Sequence, residues 1–236
     1  VRKAAREQLK AGTDVVKIMA TGGVLTPGVE PGSPQLSEEE IRAAVEEAHK
    51  AGKKVATHAQ GTTGIKNAVR AGVDSVEHGC FLDDEVIEMM AERGTYLVPT
   101  LAAVFQIVEH GVEGGIPEYA VEKCKRVIDS HFESFRKARD GGVKIACGTD
   151  ASTPFNGFDQ TGMELVLMCR AGMTPMEAIV SATRTSSELI GCDASHGTLE
   201  QGKFADMVLL GKNPLEALQH ILKPERVYRK GLPVEV

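Results

Sequence analysis

A glycine at the end of a helical pattern, followed closely by an apolar β-branched run, recurs along this sequence. The five occurrences are at Ala11-Gly12, Ala51-Gly52, Ala71-Gly72, Arg93-Gly94 and Gly141-Gly142. Glycine is favoured just past a helix because it adopts the left-handed backbone conformation without steric cost. Helices that end in this way and lead directly into strands are typical of a parallel α/β fold.

The same alternation locates the strands and the clearest helices. We predict strands over residues 14–20, 54–59, 75–79, 96–101 and 144–150. We predict helices over residues 37–51, 83–93, 162–172 and 175–190. The first of these helices is the best defined, because Ser37 and Glu40 have the spacing of a capping box and Gly52 ends the pattern.

Five β/α units are too few to close an eight-stranded barrel, but they fit an incomplete one. No glycine-rich phosphate-binding fingerprint follows the first strand, which argues against a doubly wound open sheet. We therefore expect an α/β protein with an incomplete TIM-type (β/α)8 barrel over residues 1–196. Residues 197–236 predict two short strands, the second a hairpin turning at Lys230-Gly231, as part of a small β-sandwich appendage.

An incomplete barrel leaves two open strand edges, which favour pairing with other polypeptide. The sequence also begins at Val1 within a helical pattern. We therefore expect the natural protein to be a homo-oligomer or to contain N-terminal polypeptide that precedes this sequence. A signal peptide upstream stays an open alternative.

Composition argues against several classes of partner. The formal net charge of −6 does not suit binding to nucleic acid, which requires clustered lysine and arginine. No apolar run reaches the roughly 20 residues that cross a bilayer, so we expect no membrane contact. The five cysteines are widely spaced and form no Cys-x-x-Cys pair, which favours a reducing compartment and hence the cytoplasm.

Four side chains on successive predicted strands are candidates for a metal site. His58, His78 and Asp150 lie at or near strand ends, where barrel enzymes place their reactive groups. Lys17 interrupts an apolar strand, where a charge is costly unless it is neutralised, paired or used in chemistry. Taken singly, each has a structural explanation: a hydrogen-bonded histidine, a helix-capping aspartate or half of an ion pair. Their order on the strands favours a metal site, and imidazole and carboxylate ligands suit zinc. We predict no role for the remaining histidines, His49, His110, His131, His196 and His220.

The ordered motifs VVKIMATGG, THAQG, VEHG, VPTL and GTD, followed by GMTPMEAIVSATRTSSELIG and GTLEQGKFADMVLL, resemble the metal-dependent amidohydrolase superfamily. They are most similar to the branch that contains imidazolonepropionase-like proteins and the Xaa-Pro and Xaa-Arg dipeptidases. The resemblance covers nearly the whole chain, and it implies that the sequence holds roughly strands 4 to 8 of the barrel.

The resemblance implies a zinc-dependent hydrolase of C–N bonds that acts on dipeptides or N-acyl amino acids and uses one or two divalent ions. It implies that Lys17 is carboxylated and bridges the two ions. His58 and His78 would bind the more exposed ion, and Asp150 the more buried one. Asp150 would act as general base and then acid, and His78 would help to polarise the carbonyl. Two alternatives stay open: a cyclic-amide hydrolase of the imidazolonepropionase type, and an inactive fragment that only binds a metal or a partner.

The sequence departs from the family pattern at two places. The His-x-His pair of the first barrel strand is absent, so we expect this chain alone to bind at most one metal ion well. Two residues after His58, the dipeptidase branch often has a substrate-contacting Tyr or His, whereas this sequence has Gln60, which cannot act as an acid. In the loop after the first strand, we predict that the amides of Gly22 and Gly23 bind a substrate carboxylate, with an ordinary turn as the alternative.

Overall fold

The computed structural model describes residues 1–235 and contains a four-stranded parallel sheet. The strand order is β1-β2-β3-β4, so strands that are neighbours in sequence are also neighbours in the sheet. The strands are β1 (Val15–Met19), β2 (Lys54–Ala59), β3 (Ser75–His78) and β4 (Tyr96–Val98). This confirms the predicted α/β class with a parallel sheet. Within residues 1–235, the sheet does not close into a barrel.

α-Helices accompany the sheet, and the second, third and fourth of them connect its consecutive strands. They are α1 (Arg2–Lys10), α2 (Glu38–Lys50), α3 (Thr62–Ala71), α4 (Asp84–Arg93), α5 (Leu101–His110), α6 (Glu118–Asp140), α7 (Thr161–Arg170), α8 (Pro175–Val180) and α9 (Ser186–Ile190). A π-helical stretch, Ser181–Thr185, joins α8 to α9, so the helix predicted over 175–190 is continuous. The main core lies between these helices and the outward-facing residues of the strands, Val16, Ile18, Val55, Val76 and Leu97.

The helix ends predicted from local sequence are present in the structure. The second residue of each recurring phrase is a glycine with positive φ, from 66° at Gly52 to 96° at Gly72. The predicted capping box is present, since the Ser37 hydroxyl accepts from the Glu40 amide and the Glu40 carboxylate accepts from the Ser37 amide. These features could be predicted because each depends on residues close together in the sequence.

Two predicted strands are shorter than expected. The strand predicted over 96–101 ends at Val98, because Pro99 has no N–H to donate and Thr100 takes the left-handed conformation with φ 52°. The strand predicted over 144–150 is reduced to a single parallel bridge between Leu97 and Ile145. Beyond that bridge, the Cys147 amide donates to the Ser186 hydroxyl at 3.0 Å rather than to a strand.

A second, antiparallel sheet follows the main one. Its strands, in the order β5-β6-β7, are β5 (Met207–Leu209), β6 (Arg226–Arg229) and β7 (Leu232–Val234). The β6–β7 hairpin turns at Lys230-Gly231, as predicted, and both residues have positive φ. Within residues 1–235 these strands form one small three-stranded sheet, and the β-sandwich expected from the sequence stays a prediction. None of the helices in that range is long and apolar enough to span a membrane.

Candidate metal centre

The sheet brings two of the predicted residues, and one glutamate that was not predicted, to its open face. Parallel pairing sets His58 on β2 beside Met19 on β1 and Glu77 on β3, and paired residues project from the same face. Lys17 lies two residues before Met19 and therefore shares that face. Lys17, His58 and Glu77 thus form a cluster that faces away from the helices. Glu77 was not predicted from the sequence, although the strand period places it on the same face as Lys17 once the register is known.

His78 joins this cluster through an unusual backbone conformation. Strict alternation after Glu77 would point its side chain toward the helices, but His78 has φ 74° at the end of β3. Its ring packs edge-on against the ring of His58, with the centroids 4.6 Å apart. His78 Nδ1 is hydrogen-bonded to the Thr100 hydroxyl at 2.6 Å. A non-glycine residue in this conformation is strained unless its surroundings hold it, and such strain is concentrated at functional sites.

The surroundings that hold His78 include a histidine for which no role was predicted. His131, on α6, is fully buried, and its Nε2 lies 3.0 Å from the His78 carbonyl oxygen and 2.7 Å from that of Pro99. A single N–H therefore links the ends of β3 and β4. Burial lowers the pKa of His131 to about 4, so the ring is neutral at pH 7. The sequence prediction missed this role because α6 contacts the site only through the tertiary fold.

Asp150 reaches the site from a loop rather than from a strand end, which corrects the prediction. It is exposed, has φ 55° and lies beyond the single bridge that pairs this segment with β4. Asn156 organises the loop, because its buried amide nitrogen donates to the carbonyl oxygens of Thr149 and Asp150. Asp150 lines the same cavity as Lys17 and His58, and its charge acts on the pKa of both.

Loss of hydration shifts the ionisation of the cluster toward neutral forms. Lys17 is exposed on the open face of β1, yet partial loss of hydration lowers the pKa of its amine, while Glu77 and Asp150 oppose that shift. Burial also lowers the pKa of His58, and it lowers that of His78 well below the usual value, with the neighbouring ring of His58 adding to the effect. Burial raises the pKa of Glu77. Both imidazoles are therefore neutral and keep a lone pair available at pH 7.

A cavity of about 480 Å³ lies over the cluster. It is lined by all the residues predicted for the site, namely Lys17, Gly22, Gly23, His58, Gln60, His78 and Asp150. Its other wall is apolar and includes Val24, Val104 and Ile107. Gln60 is only 2% exposed, and its side-chain oxygen has no hydrogen-bond partner within residues 1–235. A buried, unpaired amide oxygen is costly, so Gln60 is suited to bind a donor group of a ligand.

The loop after β1 contains Gly22 and Gly23, whose amides were predicted to bind a substrate carboxylate. Its structure leaves only one of these two amides available. The Gly22 amide donates to the Ser33 carbonyl at 2.9 Å, and a Cβ at Gly22 would lie 2.3 Å from the side chain of Val29. The amide of Gly22 is therefore committed to closing the loop. A Cβ at Gly23 would lie 3.0 Å from the ring of His58. Of the two predicted carboxylate-binding amides, only that of Gly23 stays a candidate.

The donor set suits a divalent cation, but only if Lys17 takes part. Within residues 1–235, no three His, Cys, Asp or Glu side chains come together in an arrangement that would hold an ion. Two neutral imidazoles in contact, a nearby carboxylate and a desolvated amine still provide the nitrogen and oxygen ligands that zinc and similar ions prefer. Conversion of the amine to a carbamate would add two further oxygen donors.

Comparison with known proteins gives relatives that share this architecture. The chain is 37% identical over 229 residues to the ochratoxinase of Aspergillus niger, covering 96% of this chain. A crystal structure of an Xaa-Pro dipeptidase with methionine bound in its active site superposes with a TM-score of 0.91 at 38% identity, covering all of this chain and 58% of the other. An imidazolonepropionase of Brevibacillus brevis is 27% identical over 158 residues, which are 66% of this chain and 32% of that protein.

These alignments also define what portion of a relative the chain represents. It covers 47% of the A. niger ochratoxinase sequence and so spans about half the length of that relative. The family model described as the amidohydrolase family matches residues 1–234, which is nearly the whole chain. With this match and the arrangement of Lys17, His58, His78 and Asp150 around one cavity, the protein belongs to the amidohydrolase family.

Proposed function

We propose that this chain forms part of the active site of a metal-dependent hydrolase that cleaves the C–N bond of an amide, with dipeptides or N-acyl amino acids as substrates. The observation that carries the proposal is the pair of neutral imidazoles, His58 and His78, which line one cavity together with Lys17 and Asp150. The names of two relatives, a dipeptidase and an ochratoxinase, support hydrolysis as the class of reaction.

Lys17, His58, His78 and Asp150 would hold the metal, and we propose zinc. A bound divalent ion would supply Lewis acidity toward the amide carbonyl and toward water. Carboxylation of Lys17 requires a neutral amine, and the lowered pKa of Lys17 favours that form. In this step Nζ forms a bond to the carbon of carbon dioxide and loses a proton to solvent.

The chain's own side chains would handle protons and the substrate. Asp150 is exposed at the cavity, where its carboxylate can accept a proton from the attacking water and return it to the leaving nitrogen. His78 would help to polarise the carbonyl. Gln60 and the Gly23 amide would bind polar groups of the substrate, and the wall formed by Val24, Val104 and Ile107 would accept an apolar side chain.

A cyclic-amide hydrolase is the second candidate. The similarity to an imidazolonepropionase supports it, because the same ligand set would serve ring opening. A chain that only binds a metal or a partner is the alternative outside enzymes, and the absence of a His-x-His pair favours it for this sequence alone. Substrate profiling of the full-length protein, with linear and cyclic amides side by side, distinguishes the first two.

The carbamate gives the most direct test. We expect the chain, incubated with ¹³C-bicarbonate and zinc, to show a carbamate carbon signal by NMR. That signal should disappear in Lys17→Ala and persist in Lys54→Ala. Lys54 is a suitable control because it lies at the start of β2, at the end of that strand away from His58. We also expect at most one tightly bound zinc ion per chain by elemental analysis. A signal that survives in Lys17→Ala, or two tightly held ions per isolated chain, would contradict the proposal.

A further inference from the structure

The turn between β4 and α5 presents a threonine to the site in a conformation that threonine rarely adopts. Thr100 has φ 52° and is 3% exposed. β-Branched residues avoid the left-handed region, so the surrounding structure must impose this conformation. The result is that the Thr100 hydroxyl lies 2.6 Å from Nδ1 of His78.

Two fully buried side chains bind the backbone of this turn, one just before Thr100 and one just after it. The Glu164 carboxyl group, on α7, accepts hydrogen bonds from the amides of Leu101 and Ala102 at 2.8 and 2.7 Å. The His131 ring, on α6, lies 2.7 Å from the Pro99 carbonyl oxygen through Nε2. The backbone on each side of Thr100 is therefore fixed by a side chain from a different helix.

Thr100 itself does not perform the usual task of a residue at its position. It stands at the N-cap of α5, where threonine commonly accepts a hydrogen bond from a helix amide, yet its side chain makes no such bond. Glu164 binds the first amides of that helix instead. Because Glu164 satisfies these amides, the Thr100 hydroxyl is available for its hydrogen bond to His78.

We propose that Thr100 is a positioning residue for His78: its hydroxyl oxygen accepts a hydrogen bond from Nδ1–H, which fixes the ring proton on Nδ1 and keeps the Nε2 lone pair of His78 available at the cavity. A neutral imidazole carries one proton, so fixing it on Nδ1 leaves Nε2 as an acceptor or metal ligand. His78 lines the cavity, and its Nε2 has no hydrogen-bond partner within residues 1–235. Glu164 and His131 act through Thr100 by holding its backbone. The proposal rests on the proposed function, in which His78 binds the metal.

The test uses Thr100→Val, which keeps the shape but removes the hydroxyl, and Thr100→Ser, which keeps the hydroxyl. The histidine tautomers of the metal-free, ¹⁵N-labelled chain are read by long-range ¹H–¹⁵N NMR, and zinc affinity by competition with a chromophoric chelator. We expect the Nδ1–H tautomer of His78 in the unmodified chain and in Thr100→Ser. In Thr100→Val we expect loss of that fixed tautomer and zinc binding weakened by about 10- to 100-fold.

Thr95→Val is the matched control, because Thr95 is equally buried and its hydroxyl bonds to the Val73 carbonyl away from the site. It should leave both readouts unchanged. An unchanged tautomer and unchanged zinc affinity in Thr100→Val would overturn the proposal, as would an Nε2–H tautomer in the unmodified chain. His78→Ala separates the two ideas: if it leaves zinc affinity intact, the ligand assignment of the proposed function fails, and the tautomer alone then decides the role of Thr100.

Discussion

Three residues of the site, two that line the cavity and one that is hydrogen-bonded to His78, share a backbone conformation that the sequence does not reveal. His78, Thr100 and Asp150 all have φ between 52° and 74°, in the left-handed region that non-glycine residues seldom occupy. Such strained conformations persist only where contacts with the surrounding structure hold the backbone in place. For His78 and Thr100 these contacts come from buried polar side chains of helices, His131 and Glu164, so this part of the site is shaped by contacts distant in sequence.

Glu164 provides a prediction that depends on pH. Burial raises the pKa of Glu164 to about 8, against an ordinary value of 4.5. The native state therefore keeps a proton that the unfolded chain releases, so this group makes the free energy of unfolding fall as pH rises from about 4.5 to 8. We expect Glu164→Gln to remove that contribution, on the order of 1 kcal/mol per pH unit within the window.

Urea unfolding of both chains at pH 5, 6.5 and 8 measures the effect. The quantity to compare is the difference in free energy of unfolding between the unmodified chain and Glu164→Gln, because the buried histidines contribute equally to both. A difference in unfolding free energy that does not change with pH would show that Glu164 is ionised throughout.

At the scale of helices and strands, the sequence predicted what local chemistry determines. The capping box at Ser37, the left-handed glycines after helices and the hairpin at Lys230-Gly231 all follow from residues adjacent in the chain. The segment 144–150 was predicted as a strand because its residues are apolar, but pairing requires a partner, and only Leu97 pairs there. Glu77 was missed for the same reason, since its neighbours on the sheet face come from other strands.

The contact between α1 and α2 provides a prediction at this scale. Glu47 on α2 accepts hydrogen bonds from Arg6 at 2.9 and 3.0 Å and also pairs with Arg2. These bonds, that of Arg6 foremost, lower the pKa of Glu47 to about 2 from 4.5. The stabilisation is therefore complete above about pH 4.5 and is lost as pH falls toward 2.

We expect Glu47→Gln to lower the thermal midpoint at pH 7, and we expect the gap from the unmodified chain to close as pH approaches 2. Calorimetry or circular dichroism over that range measures it. Glu39→Gln, on the exposed face of the same helix, should have no such pH-dependent gap. A gap for Glu47→Gln that stays constant with pH would mean that the arginines do not stabilise its ionised form.

For the molecule as a whole, the open face of the sheet is the unusual feature. Val15 and Met19 flank Lys17 on this face and are 36% and 55% exposed. Within residues 1–235, β1 pairs on one side only, which leaves a row of backbone groups unpaired at the edge of the sheet. Apolar side chains beside an unpaired strand edge favour association with further polypeptide. The fact that the chain spans about half of its relatives is in keeping with this.

We expect this chain in isolation to form a dimer or larger assembly through β1 rather than to remain a monomer. Light scattering coupled to size exclusion measures the mass directly. Met19→Lys places a charge on the open face and should shift the population toward the monomer, because lysine beside a sheet edge opposes edge-to-edge pairing. Phe158→Lys is the control, since Phe158 is 83% exposed but lies outside the sheet, and it should leave the mass unchanged. A monomeric unmodified chain, or a mass that responds equally to both substitutions, would mean that the open face of β1 is not where the chains associate.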